Sequence, residues 1–181
     1  MRLLISDANI LIDMEAGALL PFLFRLPVTI GIPDLLYYEE IAPGTPGLET
    51  MGLQILEVHG ESVRYAAELP TRYNHTLPAN SGARPSHHDY MALALAKQEA
   101  CTLLTGDANL RRVAEAEQIH VMGSIGLLCA MIKNQLLTVD DALYALQQMK
   151  QRKRQQMKQR KRRLPWQEAE KQLNALRYPH L

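Results

Sequence analysis

The chain has 181 residues and a hydrophobic fraction of 47%, enough for one domain with a substantial core plus an appendage. No apolar run approaches the roughly 20 residues of a membrane span, and the opening run carries only Arg2 before Asp7 interrupts it, unlike a secretory signal. No membrane association and a cytoplasmic location are therefore expected, and Cys101 and Cys129, which lack zinc-type spacing, are expected as buried thiols. The net charge of +1 hides an asymmetry. Residues 150–163 hold nine basic and no acidic residues, leaving eleven basic against nineteen acidic residues elsewhere. Such an acidic body repels a polyanion unless cations or the basic arm supply the attraction.

In chain order, residues 2–6 read as a short buried strand ending at Asp7, followed from Asn9 by a helix that Pro21 ends or bends. Val28–Ile32 reads as a second strand between Pro27 and Pro33, and LLYYEEI as a helix with Pro33 in its first turn. A loop rich in Gly and Pro leads to a third strand within LQILEVHG, a helix over 61–73 and a polar loop over 74–85. Residues 86–100 form a helix opened by a Ser86/Asp89 capping box; CTLLTGD is a buried strand ending on Asp107, with the helix ANLRRVAEAEQ behind it. HVMG is a fifth strand, SIGLLCAMIKNQLL a helix, and TVDDALYALQQM another with a Thr138/Asp141 capping box. Strands alternating with helices imply an α/β fold with a largely parallel sheet. The appendage, 138–181, contains an exact tandem duplication of QQMKQRKR over 147–162, expected as a helix solvated on nearly all faces. A final amphipathic helix carries Trp166, Ala169, Leu173 and Leu176 on its apolar side.

Asp7 and Asp107 each follow a strand, and Asp89 sits in the first turn of the helix between those strands. Each alone is explained as a helix cap. In a parallel sheet all three gather at one edge, where three carboxylates repel unless a cation neutralises them, and hard oxygen donors select Mg²⁺ or Mn²⁺. Glu40 is the fourth candidate. Its neighbour Glu39 points about 100° away in α-helical geometry, so only one of the two faces the cluster.

The pattern SDANILID, PDLLYYEEI, SHHDYMALALA and LLTGDANLRR resembles the PIN-domain nucleases, including the VapC-like toxin ribonucleases of toxin–antitoxin pairs, over about residues 2–135. The resemblance implies a PIN-like sheet of about five short strands in a nuclease domain over 1–137, with one or two Mg²⁺ or Mn²⁺ ions and hydrolysis of RNA phosphodiesters. It further implies a homodimer and an antitoxin or other regulatory partner. It assigns Asp7, Glu40, Asp89 and Asp107 as catalytic and metal-binding residues. Asn9, Thr105 and Asn109 lie beside these acids as candidate supporting or phosphate contacts. The sequence departs from the family at His87 and His88, where a small or acidic residue is frequent, and at Asn109, where some members carry another acid. These histidines could ligand a softer metal, contact phosphate, or simply be solvated.

Lys150, Arg152, Lys153, Arg154, Lys158, Arg160, Lys161, Arg162 and Arg163 are candidate RNA contacts, against a merely solvated arm. Two rival readings accompany the nuclease. An aspartyl-nucleophile phosphatase would need an acid where Asn9 stands, since Asn cannot donate the proton to the leaving group. A catalytically weak PIN-like module would bind RNA or a partner protein through the basic arm. A nuclease regulated by a partner would offer the apolar face of the helix around Trp166 for docking, unless that face packs on its own domain.

Overall fold

The computed structural model describes residues 1–157 and 166–177. Five strands, β1 (Arg2–Ser6), β2 (Val28–Pro33), β3 (Gln54–Leu56), β4 (Thr102–Leu104) and β5 (Val121–Met122), form one all-parallel sheet in the order β3-β2-β1-β4-β5. The chain winds outward from β1 through β2 to β3, then returns to β1's other side for β4 and β5. The winding direction thus reverses between β1 and β4. Right-handed crossovers then put the helices that follow β1 and those that follow β3 on opposite faces. The crevice at the carboxyl ends of β1 and β4 is the switch point where α/β sheets bind ligands.

Among the described residues, ten α-helical segments and one π turn flank the sheet: α1 (Ala8–Ala16), α2 (Leu20–Leu23), α3 (Asp34–Leu36) followed by the π turn (Tyr37–Ile41), α4 (Leu48–Met51), α5 (Gly60–Tyr73), α6 (His87–Gln98), α7 (Ala108–Ala116), α8 (Ser124–Lys133), α9 (Val139–Met157) and α10 (Trp166–Ala175). α6 packs on β1, β2 and β4, and every residue from Asp89 to Ala96 is buried, so its uninterrupted apolar run reflects neighbours on nearly all sides. Glu117, just past α7, ties three helices together. Tyr65 and Tyr73 of α5 donate to it at 2.6 and 2.5 Å, Arg72 at 2.9 Å and Lys97 of α6 at 3.1 Å. Burial pushes this carboxyl up, but the hydrogen bonds outweigh it and hold it down at about 2.

Both capping boxes form. Asp89 pairs with Ser86, and Thr138 Oγ1 accepts from the Asp141 N–H at 3.1 Å while the Asp141 carboxylate accepts from the Thr138 N–H at 3.4 Å. Both cysteines are free and half-buried.

Three local expectations are corrected. Pro21 does not end or bend a helix; α1 stops at Ala16 and Pro21 opens α2, since its missing N–H costs nothing in a first turn. Pro33 is the last residue of β2, preceding the helix. The described part of the arm is not solvated all round. α9 carries Ala142, Ala145, Leu146 and Met149 into the same core as the sheet, and it passes the end of α1 so closely that a Cβ on Gly17 would lie 3.1 Å from the Met149 methyl. Ala169 and Leu173 of α10 are buried too, with α10 packed on α8 and α9, so the apolar side of the last helix is turned onto its own domain. The second repeat copy beyond residue 157 lies outside the described residues.

Candidate active site

The parallel register that pairs Ser6 with Leu104 sets the next residues, Asp7 and Thr105, side by side at the crevice. Asp7 is completely buried. One of its oxygens caps α1 by accepting the Ile10 N–H at 2.9 Å, and the other accepts the Thr105 hydroxyl at 2.5 Å. That hydroxyl in turn accepts the Asp107 N–H at 3.0 Å, so Thr105 links Asp7 to the turn that carries Asp107. Burial, opposed by these two hydrogen bonds and reinforced by the charges of Asp89 and Asp13, pushes the Asp7 carboxyl up to about 7.

Asp89 and Asp107 are nearly as buried, at 8% and 7% exposure. Asp89 accepts the Ser86 N–H at 2.7 Å, while Asp107 caps α7 by accepting the N–H groups of Asn109 and Leu110 at 2.8 and 2.9 Å. Both also act on the Tyr90 hydroxyl. That group is pushed up to about 12 by burial first, with the charges of Asp89 and Asp107 adding to it and Arg84 opposing. Each aspartate therefore bonds backbone N–H groups at the start of a helix, and the charge of Asp89 reaches both Asp7 and Tyr90. Among the described residues, no three carboxylate, histidine or cysteine side chains close into a ready-made metal cage.

Glu39 and Glu40 lie on a single π turn, Tyr37–Ile41, in which the Ala42 N–H reaches back to Tyr37 O at 2.8 Å. In this slightly wider turn successive side chains still point in different directions. Glu39 lies 2.7 Å from Nε2 of His88, and Glu40 lies 4.0 Å from the same nitrogen. His88 is thus not simply solvated; its side chain is 18% exposed and pairs with a residue 49 positions away. No local pattern in the sequence signals that pairing. Glu40 also borders an open cleft of about 400 Å³ shared with Ile12, Glu15, Thr45 and Arg152.

Asn109 is buried and braces the preceding loop, donating to Ser81 O and Ala83 O at 3.3 and 2.9 Å. Asn9 is half-buried on the first turn of α1. Of the basic arm, Lys153 bonds the buried Asp13 at 2.8 Å, Arg152 lies 3.9 Å from Glu15, and the Lys150 and Lys153 ammonium groups each stand 5.9 Å from the Trp166 ring. Asp13, whose charge reaches Asp7, and its partner Lys153 carry no sequence signal beyond an acid on a helix and a base in a run of bases.

The description "PIN domain" matches residues 3–165. Among solved structures, the crystal structure of VapBC2 from Rickettsia felis bound to a DNA fragment from its promoter is similar at 16% identity and a TM-score of 0.44, over 67% of this chain and 98% of that one. No curated protein matches the chain. With nearly its whole length matched, from β1 through α9, the chain belongs to the PIN-domain family.

Proposed function

We propose that the protein is a divalent-cation-dependent ribonuclease that hydrolyses phosphodiester bonds, of the VapC-like toxin type, working as a homodimer held in check by an antitoxin. The observation that carries the reading is Asp7, a fully buried carboxyl at the switch point, raised to about 7 with Asp89 and Asp107 in its neighbourhood. The anion is disfavoured there unless positive charge is supplied. The donor set fits Mg²⁺ or Mn²⁺: it consists of hard oxygens, and Mg²⁺ keeps several waters and needs only one or two carboxylates plus substrate phosphates, so a closed protein cage is not required. Asp7 and Asp107 would hold the ion. When bound, such a cation activates a water and offsets charge that builds on the phosphate.

The remaining groups serve position and proton transfer. Thr105 fixes the rotamer of Asp7, Asp89 orients the attacking water or completes the ligand shell, and Glu40, more exposed at the rim, exchanges protons or acts through water.

The test is cleavage of labelled single-stranded RNA of randomised sequence. We expect cleavage with Mn²⁺ or Mg²⁺, none with chelator, recovery on adding excess metal, and none of DNA of the same sequence. RNA left intact under every metal condition would defeat the reading. A second reading is a PIN-like module that binds RNA or a partner protein without cutting, through the nine basic residues of 150–163. Calorimetry separates the two, since the nuclease binds Mn²⁺ through Asp7.

Lys158, Arg160, Lys161, Arg162 and Arg163, which lie outside the described residues, are proposed as RNA contacts. Replacing Lys158, Arg160, Lys161, Arg162 and Arg163 by Gln is expected to lower the slope of log affinity for RNA against log salt by about 0.7 for each phosphate no longer neutralised. An unchanged slope would show that the arm does not touch phosphate.

A further inference from the structure

The pairing of Glu39 with His88 is not used by the reading above. His88 opens α6 and immediately precedes Asp89, which is locked to Ser86 by the capping box. An ionised carboxylate only accepts, so the 2.7 Å contact is Nε2–H of His88 donating to Glu39. The other ring nitrogen, Nδ1, is buried and has no hydrogen-bond partner among the described residues. Sequestering it costs free energy that a pair to a 60%-exposed glutamate does not return. Net stability is therefore a poor explanation for this contact, and position is a better one.

What the contact positions is the π turn. A π turn is a rare, weak element that persists where neighbours hold it, and it recurs at functional sites. Its front is held by Tyr37, buried and donating to Glu49 at 2.5 Å. Its exposed side carries Glu39 and Glu40, and Glu39 ties that side to α6 through His88.

We infer that Glu39 and His88 form a latch that pins the π turn to the start of α6 and so holds Glu40 4.0 Å from the His88 ring, making His88 a positioning residue for Glu40. The inference rests on the nuclease reading for its functional half. The latch itself is structural and can be tested apart from activity.

Two measurements decide it. Hydrogen exchange of full-length protein should show faster exchange over residues 37–42 in His88→Ala, with the buried middle of α6 unchanged. His88→Gln, whose side-chain amide can donate to Glu39, should restore protection. In metal-dependent cleavage of randomised single-stranded RNA, His88→Ala should lower kcat about ten- to a hundredfold with little change in KM, and His88→Gln should recover most of it. In a Glu40→Gln background His88→Ala should cost nothing further, because the group it positions is already gone.

Unchanged exchange over 37–42 would overturn the latch. Faster exchange with full kcat, or effects of His88→Ala and Glu40→Gln that simply multiply, would overturn its role in placing Glu40. Wild-type protein with no Asp7-dependent cleavage would remove the nuclease reading and the catalytic half of the inference with it, while the exchange data would still report whether the latch exists.

Discussion

Replacing Asp7 by Asn is expected to lower metal-dependent RNA cleavage by on the order of a thousandfold or more while leaving a folded protein that is more stable than wild type when free of metal. The two effects share one cause. Asp7 is fully buried, and its carboxyl is raised from 3.8 to about 7. Between those values the folded protein holds a proton that the unfolded chain releases. Stability without metal therefore falls as pH rises from about 4 to about 7 and stays at the lower level above. The amide cannot ionise and escapes this loss. Linkage puts the gap at a few kcal/mol above pH 7, on the order of 1.4 kcal/mol for each pH unit of displacement, and at nearly nothing near pH 4.

The amide also keeps the local bonds. Its oxygen accepts the Ile10 N–H and its nitrogen can donate to Thr105 Oγ1. Saturating Mg²⁺ should reverse the order at pH 8 by stabilising only the form with the carboxylate. Thermal melts at pH 5 and pH 8, with and without Mg²⁺, read all of this. Equal melting temperatures for the two proteins in every condition would remove Asp7 as a ligand.

How much of that site is legible in the sequence follows from the range of the interactions involved. Asp7 and Asp107 are local features: an apolar run stops, an acid follows, and a helical pattern begins. Alternating strands and helices then suffice to bring both acids to one edge. The capping boxes of Asp89 and Asp141 are legible for the same reason, since three residues of spacing contain the whole interaction. Thr105 is legible as a neighbour of an acid, but its bridge between Asp7 and Asp107 requires the register of β1 against β4.

The Glu39–His88 contact spans 49 residues and depends on a π turn. That geometry has no residue-type signature, so the sequence does not reveal that Glu39 reaches His88. α9 is obscured differently. A run of Gln, Lys and Arg around one methionine reads as solvated, and only tertiary packing shows that Met149 and Ala145 face the end of α1 while Lys153 on the same helix meets the buried Asp13.

Those bases carry the second large expected effect. Lys153→Ala should destabilise the protein by about 2–4 kcal/mol, seen as a fall in melting temperature of roughly 2–4 °C per kcal/mol for a chain of this size. The reason is Asp13, which is 5% exposed and bonded by Lys153 at 2.8 Å and by the Ser124 hydroxyl at 3.4 Å. Without the ammonium a buried carboxylate keeps only one weak donor. Adding Asp13→Asn to the same chain should recover most of the loss, because the penalty comes from the stranded charge and not from the missing lysine. The pair also bears on the site. Asp13 adds to the charge that raises Asp7, so removing Lys153 leaves that influence uncompensated and should carry the metal-free stability loss of the Asp7 carboxyl to higher pH. A lysine used mainly as a phosphate contact predicts the opposite pattern, with the salt dependence of RNA binding changed and the melting temperature unmoved. The structure places Lys153 inside the domain's own charge balance, and the basic run accordingly begins within the packed domain.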